Sequence, residues 1–209
     1  MNKKETEVLL QRIEKWYGQL PNLFITDKQK FSAEFGWSIA PTPFSDRLGL
    51  EYKKIKEGEE WGKKWESAWF HLKGECPENW VDEIIVSELD FSGEGLVFDT
   101  NGTALQGITN ASIWDPNFAR TRVEILKSCK KGEKIELWVE AAANSLFGVF
   151  TDPDPEEESP KRHGWFDAKV ESLKFGKFDK ELWHLYLDVR ILRGMIKHLD
   201  EKSIRRARA

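Results

Sequence analysis

The chain has 209 residues, of which 40% are hydrophobic and 33% are charged, and its formal net charge is −4 at pH 7. A length of this order suits one domain, or one domain with helical attachments, and the hydrophobic content excludes a disordered chain. The acidic balance argues against a nucleic-acid-binding protein, because such a protein presents a broadly basic face. Ten tryptophans are the one unusual count.

The sequence carries no signal for a membrane or for secretion. No run approaches about 18 consecutive apolar residues, and the N-terminal stretch mixes charges of both signs with no apolar region behind it. Cys76 and Cys129 have neither a metal-binding nor a redox spacing, so we expect two free thiols rather than a disulfide. We therefore expect a cytoplasmic protein that binds neither membranes nor nucleic acid.

Residues 1–60 are predicted to form an N-terminal helix followed by an irregular lead-in. Apolar side chains recur there at three- and four-residue spacing, which is typical of a helix with one apolar face. They are Leu9, Ile13, Trp16, Tyr17 and Leu20. Pro21 ends this pattern, and Pro41 and Pro43 interrupt any regular element in the lead-in.

Residues 61–150 change to a period of two and are predicted to form an antiparallel β-sandwich of the jelly-roll kind. At least six short alternating runs follow one another with no helix between them, which favours antiparallel sheets. The runs at 96–98 and 104–108 flank Thr100, Asn101 and Gly102, a turn suited to a hairpin. With a helix on either side, the predicted fold class is α+β.

Residues 151–178 are predicted to be a linker loop, because two Asp-Pro steps and an acidic run cannot continue a strand. Residues 179–209 are predicted to form a long C-terminal helix. Its main apolar row is Leu182, Leu185, Val189, Leu192, Ile196 and Leu199. A second row, Trp183, Leu187, Ile191 and Met195, widens the apolar face, and we expect this row to face a partner.

Candidate functional residues are few. The four histidines, His71, His163, His184 and His198, show no metal-binding spacing, and no pair of carboxylates can be placed at a catalytic separation from sequence. Most tryptophans are expected to fill the core and cover the ends of the sandwich. Trp65 and Trp114 are the candidates for contact with a sugar or with another domain, since aromatic rings stack on the C–H faces of sugars.

Several stretches resemble the N-terminal region of α-mannosidases of the cytosolic and vacuolar type, in glycoside hydrolase family 38. The resemblance runs in the same order along nearly the whole chain. Its motifs are W-G-x-x-W-x-x-x-W-F at 61–70, P-x-x-W-V at 77–81, G-E-G-L-V at 93–97 with Q-G at 106–107, and L-x-V-E-x-A-x-N-x-x-x-G at 137–148.

The resemblance implies a non-catalytic part of a retaining enzyme. The family binds zinc through an H-x-H-x-D motif in its catalytic domain and uses an aspartate nucleophile, and no position of this chain matches either feature. We therefore expect no activity, no catalytic residue and no cofactor in this chain. The implied role is a structural domain that supports oligomerisation, and its partners are an α-mannosidase catalytic domain or chain, or a second copy. The alternative is a free-standing carbohydrate-binding module for mannose-containing glycans.

Overall fold

The computed structural model describes residues 3–63, 65–109, 119–144, 168–200 and 202–205. The chain divides into two compact units. The first, which we call the helical unit, comprises residues 1–27 and 177–209. The second, which we call the sandwich unit, comprises residues 28–176.

The described residues form twelve strands in three sheets. The strands are β1 Ile25–Lys30, β2 Ser32–Ser38, β3 Tyr52–Ile55, β4 Glu60–Gly62, β5 Ser67–Glu75, β6 Ile85–Asp90, β7 Glu94–Phe98, β8 Ala104–Thr109, β9 Arg122–Leu126, β10 Lys134–Ala142, β11 Ala168–Lys169 and β12 Ser172–Phe178. The order is β3-β2-β5-β10-β7-β8 in the six-stranded sheet and β1-β12-β6-β9 in the four-stranded sheet, while β11 pairs with β4. The predicted α+β class with an antiparallel jelly roll is confirmed.

The core of the sandwich unit lies between the two larger sheets. On β5, Phe70 and Leu72 point inwards and are fully buried, and Val139 of β10 lies beside Phe70 in register. The four-stranded sheet contributes Leu89 and Phe175 to the same cluster. This alternation of inward and outward side chains is the period of two that predicts the strands. The predicted hairpin is also confirmed, because β7 pairs antiparallel with β8.

The predicted sandwich boundaries, 61 and 150, are too narrow. Strands β1 to β3 lie in the predicted irregular lead-in, and β11 and β12 lie in the predicted linker of 151–178. In β1 only the first residue is buried, so that strand shows no apolar alternation. In β12, Leu173 and Phe175 do alternate, but this short apolar pattern follows a long acidic run that is typical of a loop. Residues 151–167 of the predicted linker lie outside the described residues.

The helical unit contains both predicted helices, α1 Lys3–Gln19 and α2 Lys180–His198. Asp179 caps α2, since its carboxylate accepts a hydrogen bond of 2.8 Å from the backbone N–H of Leu182. The helix ends sooner than position 209, because Leu199 is already extended. Among the described helices, none is long and apolar enough to cross a membrane.

Aromatic contacts join the elements of the helical unit. Tyr17 of α1 stacks on Tyr186 of α2 with ring centroids 4.6 Å apart, and the guanidinium of Arg193 lies 4.0 Å from the Tyr17 ring. Arg193 also forms an ion pair with Glu14. Burial and the neighbouring Tyr186 raise the pKa of Tyr17 to about 12. These contacts hold the C-terminal half of α1 against α2.

The two cysteines are free, as predicted, and both are buried in the core of the sandwich unit. Their backbones are anchored, with the Cys76 N–H donating to Glu133 and the Cys129 N–H to Glu83, each at 2.9 Å. Burial, followed by the hydrogen bond with Cys129, raises the pKa of the Cys76 thiol to about 12. The thiolate of Cys76 is therefore scarce in the folded chain.

We expect both thiols to resist Ellman's reagent at pH 8 in the folded chain, because both cysteines are buried and the reactive thiolate of Cys76 is suppressed. After denaturation the two cysteines should react with two equivalents at the rate of an ordinary thiol. A Ser45→Cys variant is the control, since Ser45 is exposed and its replacement should react at once. Rapid reaction of the unmodified folded chain would contradict the burial of this pair.

Candidate functional site

The tryptophans of the sandwich unit separate into buried and exposed residues. Trp61, Trp69, Trp80 and Trp138 are buried, as expected for residues that fill the core and cover its faces. Two of their indole N–H groups donate to backbone carbonyls: that of Trp61 to Phe91 at 3.0 Å, and that of Trp69 to Thr42 at 2.8 Å. Trp37 and Trp65 are exposed instead. The other candidate, Trp114, lies outside the described residues.

An aromatic cluster covers part of the outer face of the six-stranded sheet. The guanidinium of Arg47 lies between two rings, 3.5 Å from the centroid of Phe44 and 4.4 Å from that of Trp138. His71 stacks on Trp138 with ring centroids 3.9 Å apart. Tyr52 donates to the carbonyl of Arg47, and burial raises the pKa of Tyr52 to about 12. This part of the sheet is a covered surface and offers no open platform to a ligand.

Trp65 stands in a turn just before β5, with its backbone in the left-handed region at φ 72°. A bulky residue in that conformation costs about 1–2 kcal/mol, so the surrounding structure has to hold it there. Two backbone hydrogen bonds do so: the Trp65 N–H donates to Ala143 at 2.7 Å, and the Ala143 N–H donates to Glu66 at 2.8 Å. The turn presents the Trp65 side chain outwards, with 51% of the residue exposed.

Trp37, at the end of β2, was missed by the sequence reasoning. Its indole N–H donates to Oε2 of Glu66 at 2.7 Å, and the backbone N–H of Lys63 donates to the same oxygen at 2.7 Å. The residue is 44% exposed. Alternation along β2 could not have found it, because Ala33 and Phe35 point into the core and Trp37, the next residue in that series, would be expected to be buried as well. We call Trp37, Trp65 and Glu66 the tryptophan site.

Other residues of the family-like motifs have structural roles. The side chain of Asn144 donates to the Glu94 carboxylate at 2.6 Å and accepts from the Glu94 N–H at 3.1 Å. A Cβ at Gly93 would come within 2.2 Å of the carbonyl oxygen of Ala142, so only glycine allows this close approach. Gln106 likewise donates to the carbonyl of Arg122 at 2.6 Å. These motifs therefore join β7, β8 and β10 to their neighbours.

The described residues do not fit the zinc site of the family's catalytic domain. Among them, no group of three or more His, Cys, Asp and Glu side chains could hold a metal ion. His71 is engaged with Glu136 at 2.7 Å, and His184 and His198 lie on α2. His163 lies outside the described residues. Burial raises the pKa of Glu140, but among the described residues this carboxyl has no second carboxylate or metal ligand grouped with it.

The second apolar row of α2 differs from the prediction at its first residue. Trp183 packs edge-on against Phe24 within the helical unit, with ring centroids 5.4 Å apart. Part of the Trp183 ring is therefore covered by the unit itself. Leu187 and Met195 are half-buried, and Ile191 is 61% exposed. On α1, the exposed large apolar residues are Val8, Leu9, Leu10, Ile13 and Trp16. No residue of α2 is fully buried.

The family is established by comparison with known proteins. The model of the α-mannosidase jelly-roll domain matches residues 29–173, which contain all but the ends of the sandwich unit. The chain belongs to this family of α-mannosidase jelly-roll domains. The resemblance noted in the sequence is thereby confirmed, and the match extends beyond the predicted limits of 61 and 150 to include the whole of β2, β3 and β11.

Its curated relatives are much longer proteins. The chain is 28% identical to α-mannosidase G of Dictyostelium discoideum over 99% of its own length, and 24% identical to α-mannosidase 2C1 of Homo sapiens over 97%. In both cases it spans 19% of the length of the relative. A solved β-glucuronidase from Ruminococcus gnavus has a TM-score of 0.43 at 11% identity, covering 73% of this chain and 29% of that one. A likeness of that size carries no argument about function.

Replacing an exposed and a buried tryptophan should have opposite consequences for stability. Trp69→Ala should lower the free energy of unfolding by about 3–5 kcal/mol, because it empties a buried site. Trp65→Ala should change it by no more than about 0.5 kcal/mol, since the side chain is exposed and the backbone strain is the same for alanine. Urea denaturation measures both, and a large loss in Trp65→Ala would make that residue structural.

Proposed function

We propose that this chain is the non-catalytic N-terminal domain of a family 38 retaining α-mannosidase, acting on α-mannosides. The observation that carries the proposal is the match of 99% of this chain to 19% of α-mannosidase G, together with the jelly-roll family model. The zinc and the reacting carboxylates belong, on this proposal, to a catalytic domain outside this sequence. The contribution of this chain is structural, as an associating domain.

The helical unit supports the associating role. Several large apolar side chains on α1 and α2 are exposed, with Ile191 the most exposed of the second row on α2. Fully burying one such side chain is worth about 1.5–3 kcal/mol, and exposed apolar patches usually mark an interaction surface. The partner we propose is the mannosidase catalytic domain or chain, or a second copy of this chain. A cytoplasmic location, also part of the proposal, fits two free thiols.

The second candidate function is that of a carbohydrate-binding module. It is favoured by the tryptophan site, where Trp37 and Trp65 are both exposed and the indole N–H of Trp37 donates to the carboxylate of Glu66, the residue that follows Trp65. Such a module would recognise mannose-containing glycans without hydrolysing them. The two functions are compatible, since the first rests on the helical unit and the second on the sandwich unit.

The purified chain should not hydrolyse an aryl α-mannoside, whether or not zinc is added, because the proposed zinc ligands and nucleophile lie outside it. Release of the aryl group, followed by absorbance, measures this directly. A mock purification from cells that lack the gene is the matched control. Turnover above that control, abolished by a metal chelator, would refute the assignment of this chain as non-catalytic.

Association through the helical unit should be sensitive to a charge at Ile191. We expect the parent chain to self-associate, or to bind a separately prepared catalytic chain, in multi-angle light scattering. Ile191→Glu should weaken that association at least tenfold, about 1.4 kcal/mol, while the circular dichroism melt is unchanged.

The control for this experiment is Ile39→Glu, which places the same charge at an exposed isoleucine of the sandwich unit. It should leave the association intact. If the parent is strictly monomeric at high concentration and does not bind the catalytic chain, the associating role is wrong. Unfolding of Ile191→Glu would assign Ile191 to the interior of the unit and lead to the same conclusion.

A further inference from the structure

The two cysteines lie on either side of one surface turn, residues 130–133. Strand β5 ends at Glu75, and the backbone N–H of Cys76 donates to the carbonyl of Glu133, which continues the pairing of β5 with β10 by one residue. Cys129 immediately precedes the turn, whose ends are joined by the hydrogen bond from the Glu133 N–H to the carbonyl of Lys130. The turn therefore brings Cys129 back to the end of β5, where Cys76 stands.

The two thiols contact one another. The S–H of Cys129 donates to the carbonyl oxygen of Lys130, with 3.3 Å between Sγ and the oxygen. That bond uses the single proton of the Cys129 thiol. In the hydrogen bond between the two cysteines, Cys76 is therefore the donor and Sγ of Cys129 is the acceptor. The two sulfurs thus face each other within hydrogen-bonding distance, inside one core cluster.

The core can accept a disulfide more easily than any other oxidised form of these cysteines. Cys76 is 1% exposed and Cys129 is 0% exposed, so added oxygen atoms or a glutathione adduct would need room that a packed core lacks. A disulfide adds no atom and no charge, because it only replaces two S–H bonds by one S–S bond. Lys130 is exposed, so water can replace the hydrogen bond that its carbonyl would lose.

We propose that Cys76 and Cys129 are a reversible redox site, which a small-molecule disulfide such as oxidised glutathione converts to an intramolecular disulfide. One cysteine thiolate attacks a sulfur of oxidised glutathione and displaces a glutathione thiolate. The second cysteine thiolate then attacks the protein sulfur of the mixed disulfide and displaces the other glutathione. The protein loses two electrons and two protons, and oxidised glutathione is reduced to two molecules of glutathione.

The oxidation is slow in the folded chain. Both sulfurs are buried and the raised pKa of Cys76 leaves little thiolate, so the reaction proceeds while the chain folds or when the surface turn opens locally. The disulfide then joins the connection after β5 to the turn before β10. A cross-link of this kind stabilises a fold mainly because it restricts the unfolded chain. Oxidation therefore makes the sandwich unit harder to unfold.

The test is a redox equilibrium of the full chain. Reduced, denatured chain is transferred to mixtures of reduced and oxidised glutathione, in native buffer or in concentrated urea, and the products are identified by mass after acid quenching. The sequence has only two cysteines, so a monomer that loses two hydrogens and carries no glutathione contains this disulfide. We expect the disulfide to be favoured at least tenfold more in native buffer than in urea, because only the fold holds the sulfurs in contact.

Thermal unfolding provides the second measurement. The oxidised chain should melt about 5–15 °C above the reduced chain when both are followed by circular dichroism. Cys76→Ala is the control, since it leaves one thiol and cannot form the disulfide, and its melting temperature should be the same in reduced and in oxidised glutathione. If this variant fails to fold, the oxidised and reduced forms of the parent still decide the matter.

The inference is overturned if the disulfide is no more favoured in native buffer than in urea, or if the oxidised chain melts below the reduced chain. Either result would show that the folded core strains the S–S bond. Glutathione adducts or disulfide-linked dimers in place of the intramolecular disulfide would overturn it as well. The assignment to α-mannosidases and the associating role do not require the cysteines, so failure here leaves both of those proposals as they stand.

Discussion

The antiparallel pairing of β5 with β10 is the constraint on which the rest of the sandwich unit depends. These two strands lie at the centre of the six-stranded sheet and pair in register from Ser67 with Ala142 to Glu75 with Lys134. Their register determines which face of the sheet each side chain on both strands occupies, since a slip of one residue would move Phe70 out of the core and Trp69 into it. One face thereby supplies the core, and the other supplies the ring stack of His71 on Trp138.

The tryptophan site is an extension of this pairing beyond its last residues. After Ser67 and Ala142 the two strands diverge, yet the backbones of Trp65 and Glu66 still exchange hydrogen bonds with Ala143. The turn is thus fixed by β10, and two hydrogen bonds with Ala143 offset the strain at Trp65. A site built on the end of a paired strand is more rigid than one built on a free loop.

The sequence predicted the elements of this fold better than their limits. Strong periodicity identified α1, α2 and the central strands, because there one face is apolar throughout. The polar edge strand β1 was lost, since only Ile25 is buried. Of the tryptophan site, Trp65 was predicted from its residue type, whereas Trp37 and Glu66 were not. Their association needs β2 and the turn before β5 to meet, and that depends on long-range pairing rather than on local pattern.

The two units differ in how completely they bury their own apolar side chains. In the sandwich unit, residues of both larger sheets fill one core, and the buried indole groups of Trp61 and Trp69 have hydrogen-bond partners. In the helical unit, α2 is well capped but buries no residue completely, although aromatic stacking holds it to α1. A helix of this length gains most of its stability from tertiary packing. Incomplete packing of the helices is therefore the physical basis of the proposed association, since the sandwich unit already buries its large apolar side chains in a core of its own.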